Sequence, residues 1–264
     1  MKTLVISMLL SVFVVSNLVL ATDKAPAGTP ATGQTFIDPT TGVEFILVKG
    51  GCYKMGSDAG ADDETPVHEV CVSDFYLGKY ELTQGQWEKV MKKNPSHYDK
   101  CGADCPVESI SWDESQMFLK KLSSLSKKMY RLPTEAEWEF AARSGGRDEK
   151  FAGIDDENVL GEFAWFDKNS NMTVHPVGKK KSNGLGFYDM TGNVDEWCQD
   201  RYDEAYYKNS PKKNPTGPGA GAERASRGGG YDTTAWRARV AHRSKFDTGS
   251  RERNIGLRLL LPIN

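Results

Sequence analysis

The sequence predicts an α+β fold with little regular secondary structure: short helices in the first half, loops and short strands in the second. Three sequences of the type that caps a helix N-terminus lie between residues 83 and 137. Beyond Gly146 no stretch has helical periodicity, and glycines and prolines interrupt the chain repeatedly. The 26 glycines and 6 tryptophans in 264 residues indicate many turns around aromatic anchors.

The N-terminus has the pattern of an export signal. Lys2 precedes an apolar run from Leu4 to Val15, and Val19-Leu20-Ala21 offers a small-residue cleavage site. The protein is then exported, periplasmic or secreted, with no membrane insertion after signal removal. A retained anchor is the alternative, but the apolar run is short and broken by serines. Three units are predicted: a signal peptide at 1–21, a flexible lead-in at 22–41 and one domain at 42–264.

The charge pattern excludes one class of partner. The net charge is −2, and no block of five like charges occurs. A nucleic-acid partner is therefore not expected.

Local patterns predict the elements of the first half. The β-branched run Val43 to Val48 and the alternating run Val67 to Phe75 predict two strands. Three helices each begin at a hydroxyl N-cap followed by Glu or Gln three residues later. These pairs are Thr83 and Gln86, Ser111 and Glu114, and Thr134 and Glu137.

Two of these helices carry further expectations. In the second, Phe118, Leu122 and Leu125 share one face and are expected to form a core stripe. The third runs from Glu135 to Ser144. Its carboxylates Glu135, Glu137 and Glu139 alternate around the helix, so capping and surface salt bridges are favoured over acid–base chemistry.

All five cysteines follow residue 21, in the part expected to reach an oxidising compartment. Cys101 and Cys105 bracket a short loop, and Cys52 and Cys71 flank an acidic, glycine-bearing loop. We predict the disulfides Cys52–Cys71 and Cys101–Cys105, with Cys198 left over. Zinc binding is the competing use, but the four histidines are scattered and no C-x-x-C sequence occurs.

The segment from Ser226 to Leu260 is bracketed by glycines and has no core pattern between them. Its aromatic, hydroxyl and cationic side chains are typical of a recognition surface. The alternative is that Trp236 is a core residue and that the arginines pair with acidic residues. His242 could act as a base, but the sequence shows no partner to orient it. The predicted ligand-binding residues are Tyr231, Asp232, Thr233, Thr234, Trp236, Arg237, Arg239, His242 and Arg243.

Several motifs in order resemble the formylglycine-generating enzyme, or sulfatase-modifying factor, family. The resemblance runs from about Gly42 to Leu261. It implies an α+β architecture akin to a C-type lectin domain. The motifs are RLPTEAEWE at 131–139, GFYDMTGNVDEW at 186–197, Arg227-Gly228-Gly229 and Gly256-Leu257-Arg258.

The second of these motifs predicts a structural calcium site. Two carboxylates and a carbonyl-exposing turn lie within eight positions, a set of hard oxygen ligands that suits Ca²⁺. The resemblance implies ligation by the side chains of Asp189 and Glu196 and by the carbonyls of Gly192 and Val194. Asp195 stands where the family usually has tryptophan. The alternative is a turn whose carboxylates only cap backbone N–H groups.

The same resemblance gives meaning to the absence of cysteines from the segment 226–260. The copper-dependent oxidases of this family bind Cu(I) through two thiols in the segment that corresponds to 226–260, and soft thiolates are what that ion prefers. This chain has no cysteine there. We therefore expect no copper and no formylglycine generation.

The sequence thus predicts an exported, calcium-stabilised module that binds an unknown ligand, either a protein or a small molecule. Two alternatives remain open at this point. One is a formylglycine-generating-type oxidoreductase, or a small-molecule oxidase with a different metal site. The other is a variable binding protein diversified by a retroelement, a class that uses this fold and ends in a similar glycine-bracketed segment.

Overall fold

The computed structural model describes residues 34–263. The predicted signal peptide at 1–21 and most of the predicted lead-in lie outside these residues. The described end of the lead-in is not a flexible linker, because Thr35–Ile37 forms a strand that pairs with the next strand of the chain. The Asp38 carboxylate, fully buried, accepts a hydrogen bond from the Tyr130 hydroxyl at 2.8 Å. The domain therefore begins before residue 42.

The described chain contains ten short strands, three α-helices and several 3₁₀ turns. The helices are α1 (Gln84–Met91), α2 (Trp112–Ser126) and α3 (Glu135–Ala142). The strands of the first half are β1 (Thr35–Ile37), β2 (Glu44–Val48), β3 (Gly51–Met55), β4 (His68–Val72) and β5 (Phe75–Gly78). Those of the second half are β6 (Asp195–Arg201), β7 (Glu223–Arg227), β8 (Ser244–Asp247), β9 (Ile255–Gly256) and β10 (Leu260–Pro262).

These strands form three small sheets. One has the order β1-β2-β5-β10 and is antiparallel throughout; a second is the hairpin β3-β4. The third has the order β8-β7-β6-β9, in which only β6 and β9 run parallel. With the helices confined to the first half, this is the α+β arrangement with little regular structure that the sequence predicts.

The predicted strand from Val67 to Phe75 is two strands, β4 and β5. The chain breaks at Asp74, whose carboxylate accepts hydrogen bonds from the Gly50 N–H and the Lys49 ammonium, both at 2.8 Å. This turn sends β4 to pair with β3 and β5 to pair with β2.

All three predicted helix starts are confirmed. At each one the hydroxyl accepts from the backbone N–H three residues later, and the Glu or Gln there accepts from the N-cap N–H. The core stripe of α2 is correct for Phe118 and Leu122 but wrong for Leu125, which is 55% exposed. Core contacts of α2 end at Leu122, and Leu119 is buried instead.

The prediction of surface salt bridges along α3 is wrong for two of its glutamates. All eight residues of α3 are buried, so Glu135 and Glu139 point into the protein. Arg227 donates to both carboxylates, at 3.0 Å to Glu135 and 2.5 Å to Glu139. Glu137 has the expected capping role and also pairs with Arg131 at 2.7 Å.

Both predicted disulfides are present, Cys52–Cys71 across the β3-β4 hairpin and Cys101–Cys105. Cys198 is the one free cysteine of the described residues, and it is buried in β6. Among residues 34–263 no helix is long and apolar enough to cross a membrane.

Candidate functional site

The glycine-bracketed segment, residues 226–260, leaves the sheet at the end of β7. Gly228 and Gly229 have φ values of 105° and 73°, which side-chain-bearing residues rarely adopt. A Cβ on Gly229 would lie 2.8 Å from Thr233 Oγ1, so the chain turns back tightly on itself here. The Thr233 hydroxyl closes the turn by donating to the Gly230 carbonyl at 2.9 Å. Residues 231–243 therefore form a compact loop with no strand or helix.

Two predicted ligand-binding arginines of this loop are not available to a ligand. Arg239 donates to both oxygens of Glu64 at 2.8 and 2.6 Å, and Arg243 donates to both oxygens of Glu135 at 2.9 and 2.8 Å. All four side chains are buried. A buried carboxylate requires a cation and hydrogen bonds, and these arginines supply them. The alternative prediction, that the arginines pair with acidic residues, is correct for Arg239 and Arg243.

The prediction that Tyr231 lies on the binding surface is also wrong. It is buried against Tyr98, with the rings edge to face at 5.5 Å and the two hydroxyl oxygens 2.9 Å apart. Asp232 is exposed, but its carboxylate accepts a hydrogen bond from the Asn254 amide at 2.9 Å. That bond ties the two glycine-bracketed ends of the segment together.

The remaining predicted residues do form a surface. Trp236 is 49% exposed, which excludes the alternative that it is a core residue. The Arg239 guanidinium lies 4.5 Å from the centre of its ring, and the His242 ring lies 5.2 Å away. These contacts hold one side of the indole and leave the rest to solvent. The exposed residues of this Trp236 patch are Asp232, Thr234, Trp236 and Arg237, with Thr233 and His242 partly exposed.

His242 of the Trp236 patch lies near two buried carboxylates. His242 Nδ1 is 3.7 Å from Glu64 Oε1. The second carboxylate is that of Asp195, whose Oδ1 has no hydrogen-bond partner among the described residues. Burial raises the pKa of Asp195 to about 6, although His242 acts in the opposite direction.

Glu64 belongs to this cluster, although no sequence motif selects it. No local signal could have assigned it, because its partner Arg239 is 175 residues away.

A cleft of about 940 Å³ opens beside the Trp236 patch. Its walls come from β3, from residues 56–59, from the loop at 146–150 and from Arg239 and Ala241 of the segment. Since Arg239 also stacks on Trp236, the cleft and the exposed indole are neighbours.

The residues predicted to hold calcium fit a hard cation in part. Asp189 is buried; its Oδ2 accepts from the Gly178 N–H at 2.7 Å, while its Oδ1 has no partner among the described residues. Burial raises the pKa of Asp189 to about 6. Both oxygens of Glu196 are already engaged, by Arg258 and by the Trp138 indole N–H.

A third buried carboxylate, that of Glu81, lies near these residues. Burial and the charges of Asp189 and Glu196 raise the pKa of Glu81 well above its usual value. The cations that act on Asp189 are the Arg258 guanidinium and the Lys180 ammonium. Within residues 34–263 no three acidic, histidine or cysteine side chains could hold a metal by themselves, so the carbonyls of Gly192 and Val194 would have to complete the site.

The segment has no residue that could take the place of a thiol pair. Cys198 lies on β6, outside the segment, and is fully buried. Burial raises the pKa of its thiol well above the usual value, which keeps it protonated and unreactive.

Comparisons with known proteins agree with this architecture. The chain matches the family model of the sulfatase-modifying factor enzyme 1-like domain over residues 33–263. It is 30% identical to the chaperone protein LppX of Paenibacillus barcinonensis, over 84% of this chain and 90% of that protein. It is 35% identical to the formylglycine-generating enzyme of Streptomyces coelicolor, over 81% of this chain and 87% of that enzyme.

Among solved structures, Treponema denticola variable protein 1 superposes with a TM-score of 0.80 at 29% identity, covering 89% of this chain and all of that one. The family model and the Streptomyces coelicolor relative give the same assignment. The chain belongs to the family of sulfatase-modifying factor enzyme 1-like domains.

Proposed function

We propose that this protein is an exported, calcium-stabilised member of the family that binds a partner or ligand at the Trp236 patch and does not generate formylglycine. The observation that carries the proposal is the composition of the loop at 231–243. It presents a half-exposed tryptophan with hydroxyl and charged neighbours where the oxidases have their two thiols. Aromatic and arginine side chains are the usual anchors of a binding surface.

Two relatives support a binding role. The Paenibacillus relative is named a chaperone protein, and the Treponema structure is named a variable protein. Neither name describes an oxidase. If the protein is of the variable kind, the genome should hold a nearby template copy of the segment, and absence of such a copy removes that version of the proposal.

The absence of oxidase activity is tested directly with a cysteine-containing sulfatase-type peptide and supplied copper. We expect no conversion of the peptide cysteine to formylglycine by mass spectrometry. The Streptomyces coelicolor enzyme, assayed in parallel, is the positive control. The expectation rests on the segment's lack of the soft thiolate ligands that Cu(I) prefers. Conversion by this protein would therefore overturn the proposal.

The binding role is tested with a library of displayed peptides selected on the wild-type protein. We expect Trp236→Ala to weaken the binding of the selected peptides about tenfold or more, because an indole that a partner covers is commonly a binding anchor. Met129→Ala is the matched control, since Met129 is 77% exposed and lies in the chain that follows α2. Equal binding by all three proteins would remove the Trp236 patch as the site.

A further inference from the structure

Within residues 34–263, one edge of the β3-β4 hairpin has no partner strand. On the β4 side, the Cys71 N–H donates to the Lys212 carbonyl at 2.7 Å and the Cys71 carbonyl accepts from the Asn214 N–H at 2.8 Å. That outer edge is therefore covered. The outer edge of β3 has no strand beside it among the described residues.

The hydrogen bonds of Cys71 also fix which groups of β3 point outward. Because Cys71 bonds outward to 212–214, its pair with Cys52 is a non-hydrogen-bonded pair of the ladder. The pattern alternates, so Lys54 opposite Glu69 is also such a pair. The N–H and C=O groups of Cys52 and Lys54 consequently point away from β4, and no described backbone group bonds to them.

Cys52 and Lys54, which carry these four free backbone groups, line the 940 Å³ cleft together with Tyr53. The outward N–H and C=O groups repeat every second residue, about 7 Å apart. Only another extended polypeptide presents donors and acceptors in that alternation, which is the basis of recognition by strand addition. The loop at 146–150 forms a second wall of the cleft. This loop packs against β3 at Gly146, where a Cβ would lie 2.5 Å from Tyr53 Cβ.

The cleft carries side chains of both charges. Lys54 and Arg147 line it, and so do Asp58 and Asp148. Lys54 also lies opposite Glu69 in the hairpin. Recognition by the backbone groups of β3 therefore does not depend on the net charge of the partner. The cleft also adjoins Trp236 through Arg239, so one extended segment can reach the indole as well as the strand edge.

We propose that the partner is a polypeptide that binds in extended form by adding a strand to the free edge of β3. This inference rests on the proposed binding function and names the class of its ligand. The Trp236 patch then provides an anchor for a side chain of the same segment.

The test uses the peptides selected on the wild-type protein. Lys54→Pro deletes one outward N–H and, because Lys54 is at a non-hydrogen-bonded position, no bond of the β3-β4 ladder. Lys54→Ala is the matched control that keeps the N–H and removes the charge. We expect Lys54→Pro to weaken binding about tenfold. The loss for Lys54→Ala should be about threefold or less.

A second measurement does not depend on the fold of any variant. Single N-methyl groups are placed along a selected peptide and binding to the wild-type protein is measured. Strand addition requires that only alternate positions lose binding. Loss at every position or at none overturns the inference, as does a library that yields no peptide.

The outcomes separate the two proposals. If Trp236→Ala weakens binding but Lys54→Pro does not, the binding function stands and the strand-addition inference fails. If neither weakens binding, both fail. Concentration-dependent dimerisation that Lys54→Pro abolishes would show that a second copy of the chain occupies this edge, and would also overturn the inference.

Discussion

At the scale of single residues, the arginines of the glycine-bracketed segment show what sequence reasoning could not resolve. Arg237, Arg239 and Arg243 look equivalent in the sequence, yet Arg237 is exposed and the other two are buried on glutamates. The difference depends on Glu64 and Glu135, which lie 175 and 108 positions away. Partners at such separations leave no local pattern, so only the folded chain distinguishes binding residues from structural ones.

The Glu64–Arg239 pair makes stability depend on pH. Burial tends to raise the pKa of Glu64, but His242, Arg239 and the Ala61 N–H outweigh it and lower the pKa from 4.5 to about 2. Because the folded state depresses this pKa, the stabilisation is present above about pH 4.5 and is lost as the pH falls toward 2. The contribution is about 3 kcal/mol at most.

Urea unfolding at several pH values checks this expectation. We expect Glu64→Gln to be less stable than the wild type at pH 7, and its stability to fall less between pH 5 and pH 2. Glu69→Gln is the control, because Glu69 is exposed and pairs with Lys212 at the surface. Identical pH profiles for Glu64→Gln and the wild type would contradict the assignment.

At the scale of elements, the helix starts were predictable and most strands were not. A capping box needs only four consecutive residues, so Thr83, Ser111 and Thr134 carried their signal locally. Strands β6 to β10 are two to seven residues long and pair with partners far along the chain. Their pairing depends on tertiary context, and the sequence therefore indicated only a region of loops and short strands.

The cap of α2 offers a clean measure of such a local signal. The Ser111 hydroxyl accepts from the Glu114 N–H at 3.1 Å, and the Glu114 carboxylate accepts from the Ser111 N–H at 3.0 Å. We expect Ser111→Ala to lower the free energy of unfolding by about 1 kcal/mol. Ser124→Ala, on the exposed face of the same helix, should change it by less than about 0.5 kcal/mol. Equal values for the two variants in urea unfolding would show that the cap does not stabilise α2.

At the scale of the whole molecule, much of the chain is loop, and what holds these loops together decides its stability. Two disulfides and the buried pairs around α3 hold part of it. The turn at 189–196 groups buried carboxylates beside the Arg258 guanidinium and the Lys180 ammonium. Motif order in the sequence was enough to predict this turn and the fold around it. The third carboxylate of the group, Glu81, emerged only from the structure.

Calcium bound at this turn would neutralise carboxylate charge and join the segments that carry Glu81, Asp189 and Glu196. A ligand at one hundred times its dissociation constant stabilises the folded state by about 2.7 kcal/mol. For a domain of this size that corresponds to a rise in Tm of about 5 to 10 °C. We therefore expect calcium added after chelation with EGTA to raise the Tm in thermal unfolding followed by circular dichroism. Asp189→Asn should abolish the rise, and Asp232→Asn, at the exposed Trp236 patch, should keep it. A Tm unaffected by calcium, or an equal rise in Asp189→Asn, would show that the turn is held by Arg258 and backbone hydrogen bonds alone.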